Sequence, residues 1–257
     1  MEDRTLLGTV ETVIKGGIAT IIFHHPDHNA LPGRLLAMLI DAIEAVGAND
    51  SVQVVVLKSE GERTFCAGAS FDELMSIQDF ETGKQFFMGF ARVINAMRKC
   101  PKLIIGRVQG KAVGGGVGLA AATDYCMATK YASVKLSELA IGIGPFVVGP
   151  AVARKMGVSD MSLLAINATE WRTAEWAKQK GLFSEVFETT EQLDAYIEHL
   201  GEKLAKSNPA AMQELKRIFW EDCAHWDQLL EERAAISGQL VLSDFTRKAI
   251  DRFKQKS

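Results

Sequence analysis

The chain has no long apolar run, no excess of positive charge and few prolines. Its 257 residues are 47% hydrophobic and 24% charged, and the net charge is -3. A membrane-spanning helix needs roughly 20 consecutive apolar residues, and the longest apolar runs here fall well short of that. A protein that binds duplex nucleic acid needs clustered Lys and Arg, whereas the basic residues here are scattered. The sequence therefore predicts neither a membrane partner nor a nucleic-acid partner.

Paired cysteines are also missing. The four cysteines, Cys66, Cys100, Cys126 and Cys223, show no paired spacing, and the N-terminal residues do not resemble a secretory signal. Cysteines in this pattern are typical of reduced thiols. We therefore expect a cytoplasmic protein without disulfides.

The N-terminal part alternates between strand and helix signals. Residues 10–15 and 18–23 are β-rich and are separated by two glycines, which predicts a hairpin. Apolar residues at helical spacing follow Pro32, and residues 52–57 form a continuous β-branched run typical of a strand buried on both faces. A second amphipathic helix then leads to a strand at residues 103–108. This alternation predicts an α/β fold with largely parallel strands.

The C-terminal part is predicted to be mainly helical. Short strands are expected at residues 125–129 and 133–135, and helices over residues 159–181 and 190–257, with breaks at residues 181–186 and at Pro209. We predict a core region of residues 1–200 and a helical region of residues 201–257.

Two glycine-containing turns are the first candidates for a functional site, and each is predicted to follow a buried strand. One is Phe65-Cys66-Ala67-Gly68-Ala69-Ser70, and the other runs from Gly114 to Leu119. Glycines at a helix start leave amide groups accessible, and the helix dipole adds positive potential, which suits an anion or a developing oxyanion. The same glycines could serve only tight turns and close helix packing. A dinucleotide fingerprint fits poorly because Leu119 occupies its last glycine position, and a phosphate loop fails because Ala112 replaces Ser or Thr.

With these turns in place, the sequence resembles the crotonase, or enoyl-CoA hydratase/isomerase, superfamily over nearly its whole length. The matching segments are Pro26-x-x-Asn29-Ala30-Leu31, the turn at Ala67-Gly68-Ala69, Gly110 to Gly116, Asp124, and Ser137-Glu138-Leu139. The resemblance implies a spiral of ββα turns with a C-terminal helical region, assembled as a homotrimer or a dimer of trimers. It also implies an acyl-CoA substrate, so that coenzyme A is part of the substrate and no separate cofactor is expected.

The resemblance assigns roles to individual residues. The amides of Ala69 and Gly115 would hold the thioester oxygen, and Glu138 matches a catalytic carboxylate. Gly118 stands where typical hydratases carry a second carboxylate, so one acid–base partner is missing. The expected substrate-binding residues are Asn29, Ala30, Leu31, Ala67, Gly68, Gly114 and Phe146. The usual lysine near the CoA phosphates is replaced by Asp72, which leaves Arg34, Lys111, Lys254 and Lys256 as candidates.

Judged from its neighbours in the sequence alone, Glu138 has two interpretations. A glutamate among apolar residues can be a solvated or salt-bridged surface residue. Burial by those residues would instead raise its pKa towards that of a working base.

The remaining reactive side chains give weaker signals. His24, His25 and His28 are interrupted by Pro26 and lack further ligands, so we expect no metal site. Cys66 has no evident histidine partner.

The leading functional hypothesis is an enoyl-CoA hydratase, or in the reverse direction a 3-hydroxyacyl-CoA dehydratase, acting through a thioester enolate. A Δ3-Δ2-enoyl-CoA isomerase is the alternative, since isomerisation needs only one base, and Glu138 could provide it. Decarboxylation could use the same enolate. An acyl-CoA-binding protein with little turnover is the least favoured hypothesis.

Overall fold

The computed structural model describes residues 7–254, apart from the side chains of residues 251, 253 and 254. It begins with a hairpin of β1 (Thr9–Lys15) and β2 (Ile18–His24), which pair antiparallel across Gly16 and Gly17. Helix α1 (Gly33–Ala48) follows Pro32 and buries Leu35, Leu39, Ile43 and Val46 on one face. The predicted hairpin and first helix are both present in the structure.

The larger of two sheets has six strands in the order β1-β2-β3-β5-β7-β10. The strands β3 (Val54–Ser59), β5 (Leu103–Val108), β7 (Tyr125–Thr129) and β10 (Glu185–Phe187) run parallel to one another. In β3, Val55 and Leu57 belong to the main core while Val54 and Val56 belong to a smaller core on the opposite face. Burial on both faces explains the continuous β-branched run in this strand.

The second sheet consists of short strands, in the order β4-β6-β8-β9. These are β4 (Thr64–Cys66), β6 (Lys111–Val113), β8 (Ser133–Lys135) and β9 (Arg172–Thr173). Along the chain, β3, β5 and β7 are followed by β4, β6 and β8, so each spiral turn adds one strand to each sheet. This arrangement confirms the predicted ββα spiral and the α/β class.

Four strands differ from the sequence prediction. The short strands β4 and β6 separate the glycine turns from the long strands that were expected to precede them directly. The two-residue strand β9 lies in a stretch predicted to be helical, and β10 occupies the predicted break at residues 181–186. Strands of two or three residues carry too short a pattern to reveal a period, and of these short strands only β8 was predicted from the sequence.

Most of the other helices pack around the two sheets. These are α2 (Phe71–Ser76), α3 (Phe80–Lys99), α4 (Gly115–Ala122), α5 (Gly149–Met156), α6 (Val158–Ile166) and α7 (Ala174–Gln179). The C-terminal part adds α8 (Thr190–Ala205), α9 (Pro209–Phe219), α10 (Trp226–Leu240) and α11 (Asp244–Lys254). Residue 200, the predicted limit of the core region, lies inside α8, and the division into two regions stays a prediction.

Two polar anchors tie the C-terminal helices to the sheets. Arg107 of β5 donates through Nε and Nη2 to the Asp194 carboxylate of α8, at 2.7 and 2.9 Å. Lys216 and Trp220, at the end of α9, donate to the buried Asp124 carboxylate at 2.6 and 2.8 Å.

In the part of the chain that the structure describes, no helix has the length and apolar character needed to cross a membrane.

Candidate active site

A cavity of about 450 Å³ opens where the two glycine turns meet the segment that follows β8. Its wall is mostly apolar and includes four phenylalanines, Phe71, Phe87, Phe90 and Phe146. Among the described residues that line it, Glu138 is the only carboxylate. Apolar clefts with a few placed polar groups are the usual form of small-molecule sites.

The first turn, Ala67-Gly68-Ala69, follows β4 and is held by the loop after β2. The Leu31 amide donates to the Gly68 carbonyl at 2.8 Å, and the Ala67 amide donates to the His28 carbonyl at 3.2 Å. All three residues of the turn line the cavity. The loop therefore fixes the backbone of the turn against the cavity.

The second turn places Gly115 at the start of α4. Gly114 caps this helix with a φ of 51°, in the left-handed region that favours glycine. The amides of Val117 and Gly118 return to the Gly114 carbonyl, whereas an amide at the first helical position has no acceptor within its helix. The amide of Gly115 is therefore available to a ligand, and the helix dipole adds positive potential there.

The two turns lie against each other. A Cβ atom placed on Gly68 would lie 3.0 Å from the Val113 carbonyl oxygen and 3.5 Å from the Gly115 amide nitrogen. Ala69 and Gly115 both line the same cavity.

Glu138 begins a short 3-10 helix, Glu138–Ile141, and its carboxyl group lies against Gly114. A Cβ atom placed on Gly114 would lie 2.9 Å from Glu138 Oε1, so a side chain at this position would displace the carboxyl group. Oε2 is buried and has no hydrogen-bond partner among the side chains and backbone groups that the structure describes. Burial raises the pKa of Glu138 to about 7, and a hydrogen bond from its own backbone amide opposes the rise. The structure thus excludes a solvated or salt-bridged surface role for this side chain.

Gly118 is buried behind Val148, a residue that lines the cavity. A Cβ atom placed on Gly118 would lie 2.4 Å from Val148 Cγ1 and 2.7 Å from its Cβ. The carboxylate is therefore absent at Gly118, and the isopropyl group of Val148 also occupies the space that a side chain there would need. Only the three-dimensional contact reveals this pairing, since 30 residues separate the two positions.

Comparisons with known proteins identify the family of the chain. The family described as Enoyl-CoA hydratase/isomerase matches residues 13–257. The chain belongs to the enoyl-CoA hydratase/isomerase family. Similar relatives within it include the mitochondrial methylglutaconyl-CoA hydratase of Mus musculus, 31% identical over 84% of this chain and 69% of its own length. The 2,3-dehydroadipyl-CoA hydratase of Escherichia coli is 31% identical over 89% of this chain and 88% of its own length.

Members named as isomerases are also similar. A peroxisomal Δ(3,5)-Δ(2,4)-dienoyl-CoA isomerase of Arabidopsis thaliana is 26% identical over 97% of this chain and 94% of its own length. Among solved structures, an enoyl-CoA hydratase from Bacillus halodurans superposes with a TM-score of 0.88 at 21% identity, covering 95% of this chain and 99% of its own, which shows the shared fold. The family acts on acyl-CoA and contains both hydratases and isomerases.

The expected substrate-binding residues fall into two groups. Ala67, Gly68, Gly114 and Phe146 line the cavity, and Phe146 folds back over Gly144. Asn29, Ala30 and Leu31 are buried behind the first turn and do not form part of the cavity wall. The Asn29 side chain accepts from the His25 amide at 3.0 Å and donates to the carbonyls of Glu60 and Thr64 at 2.8 Å each. This loop positions the turn, and its contact with substrate stays a prediction.

The four residues expected to bind the CoA phosphates also have different surroundings. Arg34 donates to the carbonyls of Leu7 and Gly8 at 2.5 and 2.6 Å, so its guanidinium already has acceptors. Lys111 lines a second cavity beside the first one. The Lys254 side chain and Lys256 lie outside the described part of the chain.

The other reactive side chains form no alternative site. Nδ1 of His24 lies 3.7 Å from the Glu60 carboxylate, and Nδ1 of His25 lies 3.9 Å from that of Asp27. Among the side chains that the structure describes, no three of His, Cys, Asp or Glu converge as a metal site requires. Burial raises the pKa of the Cys66 thiol to about 12, so this cysteine stays protonated and unreactive.

Proposed function

We propose that the chain is an enoyl-CoA hydratase, or 3-hydroxyacyl-CoA dehydratase, in which Glu138 is the only acid–base residue. The amides of Ala69 and Gly115 would bind the thioester carbonyl oxygen and stabilise the negative charge that develops on it. The observation that carries the proposal is the buried Oε2 of Glu138, unpartnered within the described chain and located on the wall of the cavity that both turns line.

One carboxylate can account for every proton transfer in hydration. Ionised Glu138 accepts a proton from water as the water oxygen bonds to C3, and the electron pair of the double bond moves onto the thioester as an enolate. Protonated Glu138 then returns a proton to C2. A pKa of about 7 supports both steps, because the acid and the base forms are then both populated near neutral pH.

Isomerisation is the second candidate, and the contact between Gly118 and Val148 favours it. The apolar group of Val148 lines the cavity wall beside Gly118, so no second carboxylate is available there to hold water. A Δ3-Δ2 isomerase needs no water, since one base removes a proton at C2 and returns it at C4. The same Glu138 can perform both transfers.

Parallel assays of the purified protein would separate these functions. The protein and its Glu138→Gln variant are given a 2-enoyl-CoA and a 3-enoyl-CoA in separate reactions. Water addition to the 2-enoyl-CoA supports the hydratase, and conversion of the 3-enoyl-CoA alone supports the isomerase. If both substrates bind and neither is converted, the hydratase and isomerase functions are both excluded, and the acyl-CoA-binding function remains. Full activity of Glu138→Gln would contradict the assignment of the base.

We further propose that the protein works in the cytoplasm as a homotrimer or a dimer of trimers, with no cofactor apart from the coenzyme A of its substrate. Exposed apolar side chains on α6, Val158 and Ile166, support association through at least one helical face. Light scattering on the purified protein measures the assembly directly, and a monomer would contradict this proposal.

A further inference from the structure

Two lysines and a tryptophan form a cluster at the edge of the small sheet. Strands β6 and β8 are parallel, with Lys111 opposite Ser133 and Val113 opposite Lys135. Lys111 and Lys135 are therefore diagonal neighbours on one face of the sheet. Trp171 immediately precedes β9, whose register with β8 sets Arg172 opposite Val134. One further step along this register brings Trp171 beside Lys135.

Both ammonium groups approach the same indole ring. Lys135 Nζ lies 4.5 Å from the Trp171 ring centroid, and Lys111 Nζ lies 5.1 Å from it. An aromatic face attracts a cation, but it adds no negative charge to offset the repulsion between two cations.

Nothing in the described chain neutralises this pair. Neither ammonium lies within 4.0 Å of a carboxylate whose side chain the structure describes, although Glu62 and Glu191 line the neighbouring cavity. The pKa of Lys135 is lowered, first by burial and then by the positive charge of Lys111. Two like charges held together without a counter-ion favour an anionic ligand, which would relieve the repulsion.

The cluster lies between the candidate active site and a second cavity. Lys135 lines the cavity that contains Glu138, and its carbonyl accepts from the Gly114 amide at 2.9 Å. Lys111 and Trp171 line the second cavity, of about 770 Å³, together with the basic residue Arg63. Both cavities include Ala67 and Val113 in their walls. The two cavities therefore adjoin, with one lysine of the cluster in the wall of each.

We propose that Lys111 and Lys135, aligned on Trp171, bind an oxyanion carried by the acyl-CoA substrate. This inference rests on the proposed function for the identity of the substrate. The oxyanion has two possible sources, a carboxylate on a short acyl group or a phosphate of the coenzyme A moiety. In either case the cluster determines which thioesters bind well.

Binding measurements with unreactive saturated thioesters test the proposal without requiring turnover. The ligands are butanoyl-CoA, glutaryl-CoA, whose acyl group ends in a carboxylate, and butanoyl-pantetheine, which has neither the carboxylate nor the nucleotide phosphates. Their dissociation constants are measured by calorimetry for the wild-type protein, Lys135→Met and Lys111→Met. Lys130→Met is the matched control, because Lys130 lies 5.3 Å from the Tyr131 ring centroid but already pairs with Glu188 at 2.7 Å.

We expect each cluster variant to weaken binding of the anionic ligand about tenfold, the usual size of a charge-assisted hydrogen bond, while the control changes little. A loss confined to glutaryl-CoA identifies the acyl carboxylate as the ligand. Equal losses for both CoA thioesters, with none for butanoyl-pantetheine, identify a CoA phosphate. Unchanged binding of all three ligands, or an equal loss for the uncharged pantetheine thioester, would overturn the proposal. Because no step requires catalysis, a protein without hydratase or isomerase activity can still pass or fail this test.

Discussion

Val148 Cγ1 lies 2.4 Å from the point where a Cβ atom on Gly118 would stand. The valine thus occupies the space beside a position that in typical hydratases carries a carboxylate. Adding that carboxylate alone will not restore a two-carboxylate site, because the two side chains would overlap.

An alanine cycle tests this contact. Gly118→Ala should lower the free energy of unfolding by about 1–3 kcal/mol through overpacking. Combining it with Val148→Ala should remove part of that cost, because the Cγ1 contact at 2.4 Å disappears while the Cβ atom at 2.7 Å remains. Chemical denaturation of the wild type, both single variants and the double variant measures the coupling. Additive effects within about 0.5 kcal/mol would show that the two residues do not compete for space.

Gly114→Ala should reduce catalysis as well as stability, because its Cβ atom would press on Glu138 Oε1. Gly16→Ala is the matched control: Gly16 has a φ of 59°, close to the 51° of Gly114, and a Cβ atom there meets nothing within 4 Å. Both variants place a Cβ atom at a positive φ, and Gly114 adds strain from its ψ of -114°, which lies outside the left-handed helical region. Thermal melts and turnover are measured on both proteins. Equal activity of the two variants would indicate that Gly114 serves only the turn.

Lys216→Met should lower the free energy of unfolding by about 3–5 kcal/mol, because it leaves the buried Asp124 carboxylate without its cation. A combined Asp124→Asn and Lys216→Met variant should recover much of this loss, since the buried carboxylate is gone and the neighbouring Lys155 ammonium still donates to the carbonyls of Thr123 and Asp124. Urea denaturation of the three proteins provides the comparison. A double variant less stable than Lys216→Met would refute this interpretation of the anchor.

Glu138 should make the protein less stable as pH rises. Its pKa is about 7 in the folded protein against an ordinary value of 4.5, so between these values the folded state binds more protons than the unfolded chain. Stability from this group is therefore lost as pH rises from about 4.5 through 7. Glu138→Gln should melt above the wild type at pH 8 and close to it at pH 5. The same difference in melting temperature at both pH values would contradict the raised pKa.

The sequence predicted long elements better than short ones. The hairpin, α1, α3 and the strand at Leu103–Val108 have enough apolar residues at a fixed period to be recognised. Strands β4, β6, β9 and β10 are two or three residues long, and long-range pairing rather than local pattern makes them strands. The glycine turns were identified as candidates even though their immediate strand context was wrong.

For the candidate site, the resemblance identified the residues but could not give their contacts. Ala69, Gly115 and Glu138 were named from matching motifs, and all three line one cavity. The pairing of Val148 with Gly118 and the convergence of Lys111 and Lys135 on Trp171 involve residues 24 to 60 positions apart. Such contacts arise from the spiral topology, which one sequence does not encode in any local pattern.

The most direct test of the account is exchange of the α-protons of a saturated acyl-CoA in deuterated water, followed by mass spectrometry. Exchange requires only that the amides of Ala69 and Gly115 stabilise the enolate and that Glu138 moves the proton, so it is independent of whether the natural reaction is hydration or isomerisation. The account predicts exchange by the wild-type protein and a loss of roughly 10²–10⁴-fold in Glu138→Gln, with ligand binding retained. Exchange by Glu138→Gln at the wild-type rate would contradict the central claim that this carboxylate carries the proton.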